Sequence, residues 1–415
     1  MYSKKLIEDI GQELEALKKA GKFKLERELE SPQGAEVEIT GKKVLMFASN
    51  NYLGLANHPD IIKASREAMD KYGFGLSSVR FIAGTETIHK TLEKRLAEFL
   101  GTEDAILYST NFMSNLGFFA SITNEALGST EPASPSQGGH VDAIYSDELN
   151  HASIIDAFKL CKKENVIKRI YSHGDVAMLE QMLEEDKNKG YRFKIIVTDG
   201  VFSMEGYLAN LPKLRELADK YEALLFVDDA HAVGVLGKTG AGTPEHFGLQ
   251  GKIDVLSGTF GKALGGAVGG YIAGKKEIIE LLRQKSRTYM FSNSLPPLVV
   301  MASIKALDLL KEKPKLLNKV KENSIYFREQ VKKLGFNVLP GNHPIIPVML
   351  GDATQTQEMS KKLLQKGLFV VGLWFPVVPE GGARLRFQIS AAHTKMQLDQ
   401  AIEIMSEVGK EMKIL

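Results

Sequence analysis

The sequence predicts an α/β protein with a large domain built on a mainly parallel β-sheet and a smaller α+β domain at the C-terminus. From Pro59 onward, short apolar segments alternate with helix-length segments, which is typical of a parallel sheet covered by helices on both faces. Around Pro296 and Pro297 this alternation gives way to two long helical patterns. We therefore place the boundary between the two domains near residue 296.

Five short apolar segments are predicted as strands of the large sheet: 105–109, 142–147, 193–200, 223–231 and 254–262. They end in or contain near their ends the polar residues Ser109, Asp147, Asp199, Asp228 and Thr259. In open α/β sheets, ligands bind in the crevice beyond the carboxyl ends of the strands. We therefore expect these polar ends to meet at one shared site.

The segments outside this sheet complete a predicted division into residues 1–50, 51–295 and 296–415. Residues 1–50 are predicted as a helical arm, with an apolar face, followed by a pair of short strands that turn at 40–42. After the boundary, two helices extend to Lys333 and a small α+β unit follows. The segment 128–139 is rich in Gly, Ser and Pro, and predicts a mobile surface loop.

Composition limits the class of protein. The chain has 415 residues, of which 44% are hydrophobic, and 53 Lys and Arg against 51 Asp and Glu give a formal charge of +2. This balance favours neither nucleic acid nor an anionic membrane as a partner. The single cysteine, Cys161, cannot form an internal disulfide, which indicates a reducing compartment, and we expect a cytoplasmic protein. No apolar run is long enough to predict a membrane span.

Lys262 follows a predicted buried strand in a loop of small residues, 259–266. A partly desolvated amine at such a place loses its proton and can form a Schiff base. The alternative is an ordinary solvated loop lysine. A phosphate-binding loop does not fit, because Leu256 and Ala263 stand where it needs Gly and Ser or Thr. The chain also lacks the G-x-G-x-x-G pattern of simple dinucleotide sites.

Asp228 ends the predicted strand before that of Lys262, and Asp229 and His231 follow it. A carboxylate at this place can pair with the protonated pyridine nitrogen of pyridoxal 5'-phosphate (PLP). A helix N-cap and a metal site built from Asp and His are the alternatives. Neither alternative accounts for the lysine at the end of the next strand, so the combination of Asp228 and Lys262 favours PLP.

Several motifs together resemble the α-oxoamine synthases, a family of fold-type I PLP enzymes. They are NNYLGL at 50–55, NHAS at 150–153, TDGVFSMEG at 198–206, DDAH at 228–231, TFGKALGG at 259–266 and SAAHT at 390–394. The resemblance therefore covers nearly the whole chain. It implies the fold of a PLP-dependent transferase and the condensation of an amino acid with an acyl-CoA thioester.

The resemblance also implies roles for single residues. Lys262 would carry PLP and act as the base, Asp228 would bind the pyridine nitrogen, and His151 would stack on the ring. The remaining implied contacts are His231 and Ser203 beside the phenolic oxygen, the backbone of Phe112 and Met113 and the hydroxyl of Thr259 at the phosphate, Ser292 and Asn293 from a second subunit, and Asn50 and Arg386 at the substrate carboxylate. Strand alternation cannot choose between Arg384 and Arg386, and the resemblance selects Arg386.

The stretches 77–85, 291–297, 343–353 and 375–394 narrow the resemblance to family members that condense glycine with acetyl-CoA. The implied products are 2-amino-3-oxobutyrate and CoA, in threonine degradation, and the implied assembly is a homodimer with shared active sites and no metal. Besides a metal hydrolase that would use Asp228 and His231, two alternatives stay open. One is a sibling synthase for a longer acyl-CoA, of the 8-amino-7-oxononanoate synthase or serine palmitoyltransferase kind. The other is a PLP-binding but catalytically silent subunit, although such subunits typically lack the lysine.

Overall fold

The computed structural model describes residues 3–19, 22–24, 26–123, 141–162 and 164–415, so the predicted loop at 128–139 lies outside the described residues. The N-terminal part contains α1 (Lys4–Lys19), β1 (Glu36–Ile39) and β2 (Lys42–Met46). The two strands pair in the antiparallel direction, which confirms the predicted hairpin. Its turn residues, Thr40 and Gly41, both have positive φ values of 52° and 67°, as a tight hairpin turn requires.

The next part of the chain alternates helices and strands. Its elements are α2 (Pro59–Tyr72), α3 (Thr87–Leu100), β3 (Asp104–Tyr108), α4 (Asn111–Thr123), β4 (Asp142–Asp147), α5 (Ala152–Leu160), β5 (Val166–Tyr171), α6 (Val176–Asp186), β6 (Lys194–Asp199), α7 (Leu211–Lys220), β7 (Leu224–Asp228), α8 (Thr243–His246), β8 (Val255–Thr259), β9 (Gly270–Gly274), α9 (Lys276–Lys285) and α10 (Arg287–Met290).

The C-terminal part begins with two long helices. Its elements are α11 (Pro297–Glu312), α12 (Lys315–Lys333), β10 (Ile345–Gly351), α13 (Ala353–Gln365), β11 (Leu368–Phe369), β12 (Val371–Leu373), β13 (Ala383–Gln388) and α14 (Lys395–Glu411). Within the described part of the chain, no helix is long and apolar enough to cross a membrane.

Among the described residues, seven strands form the large sheet in the order β3-β9-β8-β7-β6-β4-β5. Only β9 runs antiparallel to its neighbours, which confirms a mainly parallel sheet. The five predicted strands are β3, β4, β6, β7 and β8. Sequence analysis missed β5, an edge strand that exposes several of its side chains, and β9, a short strand bounded by glycines in a glycine-rich stretch.

The side chains of the central strands are buried on both faces of the sheet. Residues 195–197 of β6 and 225–227 of β7 are fully buried, and they alternate between two hydrophobic clusters that lie on opposite faces. Helices cover both faces, so the strands need continuous apolar sequence rather than alternation. The sheet is therefore a rigid support whose carboxyl edge carries the polar residues.

The smaller unit contains two three-stranded sheets, β10-β13-β12 and β1-β2-β11. Because β2 pairs with β11, the N-terminal hairpin joins this unit. Helix α11 packs on α2 and α3, and α12 contributes Leu317 and Val320 to the large core but Phe327 and Val331 to the small one. The packing thus passes from one core to the other inside α12, and the boundary near residue 296 stays a prediction.

Candidate active site

Three neighbouring strands of the sheet end side by side and form the floor of the site. In the parallel register, Asp199 at the end of β6 lies opposite Asp228 of β7, and Asp228 lies opposite Ser257 of β8. Lys262 follows β8 by three residues. The structure therefore brings Asp228 and Lys262 to the same edge of the sheet, as the carboxyl-end rule predicts.

Asp228 is held by neutral hydrogen-bond donors. Its carboxylate accepts from Nδ2 of Asn111 at 3.0 and 3.2 Å, from Nδ2 of Asn115 at 2.7 Å and from the backbone N–H of Ala230 at 3.0 Å. The amide oxygens of Asn111 and Asn115 are buried and have no partner among the described residues. Buried amide oxygens without a partner are rare, so this face of Asp228 has hydrogen-bonding capacity that the chain alone does not use.

Asp229 lies on the other side of the strand, where Thr243 supplies hydrogen-bond donors to its carboxylate. Its two oxygens accept from the backbone N–H and the hydroxyl of Thr243, at 2.9 and 2.5 Å. A Cβ atom at Gly200 or Gly242 would come within 2.1 or 1.8 Å of this carboxylate, so both positions require glycine. Burial raises the pKa of Asp229 to about 7, against the opposing effect of the Thr243 hydrogen bonds.

Lys262 lies in the loop after β8, where part of its side chain is open to the cleft. Burial of the amine lowers the pKa of Lys262 to about 8, Arg386 acts in the same direction, and the carboxylates of Asp228 and Asp199 oppose the shift. About a tenth of the amine is therefore unprotonated at pH 7, and about half at pH 8. An unprotonated amine is the nucleophilic form that Schiff-base chemistry requires.

His151 is the N-cap of α5 and belongs to the same charge network. Its backbone N–H donates to Oδ1 of Asp199 at 3.2 Å, and its Nδ1 accepts from the backbone N–H of Ser153 at 3.2 Å. Burial lowers the pKa of His151, Asp228 opposes that shift, and Lys262 adds to it. The ring is held through Nδ1 while the residue is exposed at the cleft, an arrangement compatible with the predicted stacking.

His231 lies three residues beyond the end of β7 and is buried. Its Nδ1 lies 2.9 Å from the hydroxyl of Tyr52, and its backbone oxygen lies 2.9 Å from Nε2 of His343. Burial lowers the pKa of His231 well below its usual value, and Lys262 and Arg386 lower it further. The imidazole is therefore neutral. Ser203 lies in the loop after β6, and its hydroxyl has no partner among the described residues.

The predicted phosphate contacts meet at the N-terminus of α4. A bridge from Thr110 to Gly269, and a hydrogen bond of 2.9 Å from the hydroxyl of Thr259 to the Gly269 oxygen, bring the two segments together. The N–H of Met113 donates to Thr110 Oγ1 at 3.1 Å. A phosphate at this helix end would therefore compete with contacts that Met113 and Thr259 make within the chain, whereas Phe112 is exposed there.

Ser292 and Asn293 lie beside this segment in their own chain. The hydroxyl of Ser109 lies 3.2 Å from the hydroxyl of Ser292 and donates to the backbone oxygen of Asn293 at 2.9 Å. Both residues therefore stand next to the start of the predicted phosphate segment. Their contact with the site of a second subunit stays a prediction.

The two arginines of β13 have different surroundings. Arg384 donates to Glu205 at 2.8 Å and to the backbone oxygens of Gly382 and Met204. Arg386 lies close enough to Lys262, His231 and Tyr52 for its charge to shift their pKa values, and its Nε is buried without a partner in the described part of the chain. Asn50 reaches the same place through Oδ1, which lies 3.3 Å from the Tyr52 hydroxyl. The substrate-carboxylate role of Asn50 and Arg386 stays a prediction.

The comparisons with known proteins agree with this geometry. The model of the aminotransferase class I and II family matches residues 42–405. The chain belongs to this family. It is 47% identical over 409 residues to the 2-amino-3-ketobutyrate coenzyme A ligase of Escherichia coli K12, covering 98% of each chain. It is also 46% identical over 406 residues to an 8-amino-7-oxononanoate synthase of Thermoanaerobacter pseudethanolicus, again covering 98% of each.

The family's solved structures confirm the predicted fold class. A serine palmitoyltransferase from S. paucimobilis with bound PLP and myriocin superimposes with a TM-score of 0.88 at 29% identity, over 100% of both chains. Relatives and structural neighbours are α-oxoamine synthases, which confirms the resemblance drawn from the motifs. The family is PLP-dependent, and this confirms the predicted cofactor.

The residues of the site fit PLP. The Lys262 amine, with its lowered pKa, suits the aldehyde, and the Asp228 carboxylate suits a protonated ring nitrogen. The unpaired amide oxygens beside Asp228 and the unpaired Nε of Arg386 show that the polar groups of the cleft are not satisfied by the chain alone. By contrast, no three His, Cys, Asp or Glu side chains converge on a metal position in the described residues, so Asp228 and His231 have no third ligand there.

Sequence analysis missed three residues that hold the predicted site residues in place. Asn111 and Asn115 bind Asp228, and Tyr52 binds His231, whereas Asp199, a polar strand end expected at the shared site, binds the backbone of His151. Asn111 and Asn115 flank or follow the implied phosphate contacts Phe112 and Met113, and Tyr52 belongs to the NNYLGL motif. Their partners are distant in sequence, so local patterns could mark the stretches but not the pairs.

Proposed function

We propose that this chain catalyses the condensation of glycine with acetyl-CoA to 2-amino-3-oxobutyrate and CoA, as its relatives named 2-amino-3-ketobutyrate coenzyme A ligase do. The observation that carries the proposal is Lys262, an amine with a pKa near 8 that shares a cleft with the Asp228 carboxylate, in a chain 47% identical to such a ligase. A place in threonine degradation and a cytoplasmic location stay predictions.

The reaction needs a carbon nucleophile at the α-carbon of glycine. Bound PLP supplies an electron sink that stabilises negative charge at that carbon, and Lys262, Asp228 and His151 are the residues that would hold its aldehyde, ring nitrogen and ring face. The α-carbon loses a proton and forms a bond to the carbonyl carbon of acetyl-CoA, and the CoA thiolate leaves. Lys262 Nζ takes the proton, because its unprotonated form is populated near neutral pH.

The carboxylate of glycine would bind Arg386 and Asn50. Arg386 keeps its charge even though burial lowers its pKa, because a guanidinium stays protonated at any physiological pH. The planar guanidinium can grip both carboxylate oxygens, which lysine cannot do. This contact would fix the α-carbon of glycine relative to Lys262.

A steady-state assay tests the proposal directly. Purified protein loaded with PLP is given glycine, alanine or serine against acyl-CoA thioesters of increasing chain length, and the released CoA thiol is measured. We expect the largest kcat/KM for glycine with acetyl-CoA. A silent subunit would release no CoA in any combination, which would contradict the proposal.

The same assay decides the alternative substrate. Identity to an 8-amino-7-oxononanoate synthase is 46%, nearly equal to that of the ligase, and this observation keeps a longer acyl-CoA as the second candidate. A preference for alanine with a long dicarboxylic acyl-CoA, or for serine with palmitoyl-CoA, would replace the first proposal with that sibling activity. The contacts at Lys262 and Asp228 would be the same in each case.

We also propose that the chain acts as a homodimer whose contact surface includes residues 74–82 and 291–294. Phe74, Phe81, Ile82 and Phe291 are 80%, 59%, 71% and 63% exposed, which is unusual for side chains of this kind grouped on one surface. The two segments are joined by a bridge between Val79 and Asn293. This apolar surface adjoins Ser292 and Asn293, so a partner bound there would meet the phosphate segment.

Subunit mixing tests the shared site. Lys262→Ala protein and a Ser292→Ala/Asn293→Ala double mutant are each expected to be inactive or nearly so. Random exchange should place one intact site in each hybrid dimer, and about a quarter of the wild-type activity should return. No return of activity after subunit exchange has been verified by mass would contradict sites that are shared between subunits.

A further inference from the structure

Tyr52 occupies a fully buried position beside His231 to which sequence analysis gave no role. Its backbone oxygen accepts from the N–H of Ala391 at 2.7 Å. Its ring packs edge-to-face against His343, with centroids 5.6 Å apart, and more loosely against His231, at 6.2 Å. The backbone and the ring are therefore both fixed, and only the hydroxyl hydrogen can change direction.

The hydroxyl of Tyr52 has two partners that belong to different parts of the site. Nδ1 of His231 lies 2.9 Å away, a normal hydrogen-bond length, and Oδ1 of Asn50 lies 3.3 Å away, a long one. A tyrosine hydroxyl has one hydrogen to donate. The shorter contact with the stronger acceptor takes that hydrogen, so Nδ1 of His231 is the acceptor and carries none.

From this geometry we infer that Tyr52 is a positioning residue that holds His231 as the tautomer with hydrogen on Nε2. A neutral imidazole carries one hydrogen, so an accepting Nδ1 leaves Nε2–H as the donor of the ring. This is the nitrogen that remains for the phenolic oxygen of PLP. The inference rests on the proposed function only for that last contact.

The protonation states of both groups agree with this assignment. Burial raises the pKa of Tyr52 well above its usual value, with Arg386 opposing the shift, so the hydroxyl keeps its hydrogen. Burial and the cations Lys262 and Arg386 lower the pKa of His231 well below neutrality, so the ring is not an imidazolium that would need two acceptors. Tyr52 therefore donates the hydrogen bond between the two residues, and Nδ1 of His231 accepts it.

His343 fixes the backbone of His231 beside Tyr52. Its Nδ1 accepts from the N–H of Ile345 at 3.1 Å, so its hydrogen is on Nε2, which donates to the backbone oxygen of His231 at 2.9 Å. Arg328 in turn donates to the backbone oxygens of His343 and Ile345, at 3.0 Å each. Residues of the C-terminal part thereby brace a histidine of the large domain.

Histidine tautomers can be measured directly in the PLP-loaded protein. With ¹⁵N-labelled histidine, a ring nitrogen that carries hydrogen resonates far from one that does not, and the signals that disappear in His231→Asn identify this residue. We expect His231 in the wild-type protein to have an unprotonated Nδ1 and a protonated Nε2. A protonated Nδ1 would overturn the inference without any further variant.

Tyr52→Phe removes the hydroxyl and keeps the ring. We expect the His231 signals to shift toward a mixture of tautomers, and the PLP dissociation constant and kcat to worsen by about 3- to 10-fold, the loss of one hydrogen bond. The glycine KM should change less than kcat. Neither tautomer nor PLP affinity depends on the substrates, so these readouts stand even if glycine and acetyl-CoA prove to be the wrong pair.

Tyr145→Phe is the matched control, because Tyr145 is equally buried and its hydroxyl bonds, among the described residues, only to Asp186, at 2.7 Å, away from the site. It should lower stability and leave the His231 signals and PLP affinity unchanged. If Tyr52→Phe lowers stability but leaves the His231 signals and the PLP affinity unchanged, Tyr52 is merely a packing residue and the inference is wrong. His343→Phe should disturb the His231 signals, and His343→Gln, which keeps an N–H donor, should restore them in part.

Discussion

The end of β7 has a cleft side and a packed side, and one aspartate faces each. On the cleft side, Asp228 is surrounded by Asn111 and Asn115, whose amide oxygens are buried without partners. On the packed side, Asp229 uses both oxygens on Thr243 and leaves no room for a side chain at Gly242. Adjacent residues of the same type thus differ in whether the chain itself completes their surroundings.

Strand β13 repeats this contrast with two arginines. Arg384 pairs with Glu205 and two backbone oxygens, whereas the Nε of Arg386 is buried without a partner in the described residues. Leaving a buried polar group without a hydrogen bond costs about 1–3 kcal/mol, so a ligand that completes such a group can gain affinity. Within these two pairs of residues, the unpaired buried atoms lie at or beside the cleft-side member, Asp228 or Arg386.

Removal of the lysine on the cleft side should have the largest effect. Lys262→Ala is expected to abolish CoA release, because no other amine in the described site can take its place. Borohydride reduction of the wild-type protein should attach PLP covalently, and peptide mapping by mass spectrometry should find the label on Lys262.

The matched control is Lys194→Ala. Lys194 begins β6 at the opposite edge of the sheet, and its amine donates to the backbone oxygen of Tyr221 at 2.8 Å. We expect normal turnover and only a small loss of stability. A label on a lysine other than Lys262 would contradict the assignment of the whole cleft.

Exchange of each aspartate for asparagine should separate the two sides of β7. Asp228→Asn should lower kcat on the order of a hundredfold or more while the fold stays intact, because a neutral amide no longer balances a charged ring nitrogen. Asp229→Asn should instead lower the free energy of unfolding by about 1–3 kcal/mol, since an amide offers one acceptor to the two donors of Thr243. Urea unfolding and steady-state kinetics measure the two effects.

The opposite pattern, a large loss of turnover in Asp229→Asn and near-normal turnover in Asp228→Asn, would reverse the assignment. A stability loss without a kinetic effect in both variants would mean that neither carboxylate meets the cofactor. The two variants must therefore be measured side by side in the same buffer, at a pH above 7, where Asp229 is mostly ionised because burial raises its pKa only to about 7.

Much of this arrangement could be predicted from the sequence, because it depends on local order. Strand β7 is an apolar run that ends in Asp228, and β8 begins with Val255 and Leu256 before the small residues that lead to Lys262. The edge strand β5 has mixed burial and β9 is bounded by glycines, so neither shows such a run. The contacts that distinguish Asp228 from Asp229 join residues up to 117 positions apart, and these depend on tertiary packing that no local pattern contains.

For the two arginines of β13, we again expect the cleft-side residue to affect kinetics and its neighbour to affect stability, with smaller effects than for the aspartates. Arg386→Lys should raise the glycine KM roughly 10- to 150-fold, because loss of a bidentate charged contact costs about 1.5–3 kcal/mol. PLP absorbance and the acetyl-CoA KM should stay nearly unchanged. Arg384→Lys should affect stability more than the glycine KM, since its partners are Glu205 and backbone oxygens. A large rise in glycine KM confined to Arg384→Lys would place the carboxylate on the other arginine.

The pH dependence of PLP capture gives the smallest expected effect and tests the cleft as an electrostatic unit. Only the unprotonated amine attacks an aldehyde, so the capture rate of the apoprotein should rise with pH around the Lys262 pKa of about 8, by roughly tenfold between pH 7 and 9. Asp228 raises this pKa and Arg386 lowers it. The midpoint should therefore fall in Asp228→Asn and rise in Arg386→Met, as stopped-flow absorbance can measure.

Asp229→Asn should leave the midpoint in place, because Asp229 does not contribute to the shift. Equal midpoints in all three variants would mean that Lys262 is not coupled to the residues of the cleft side.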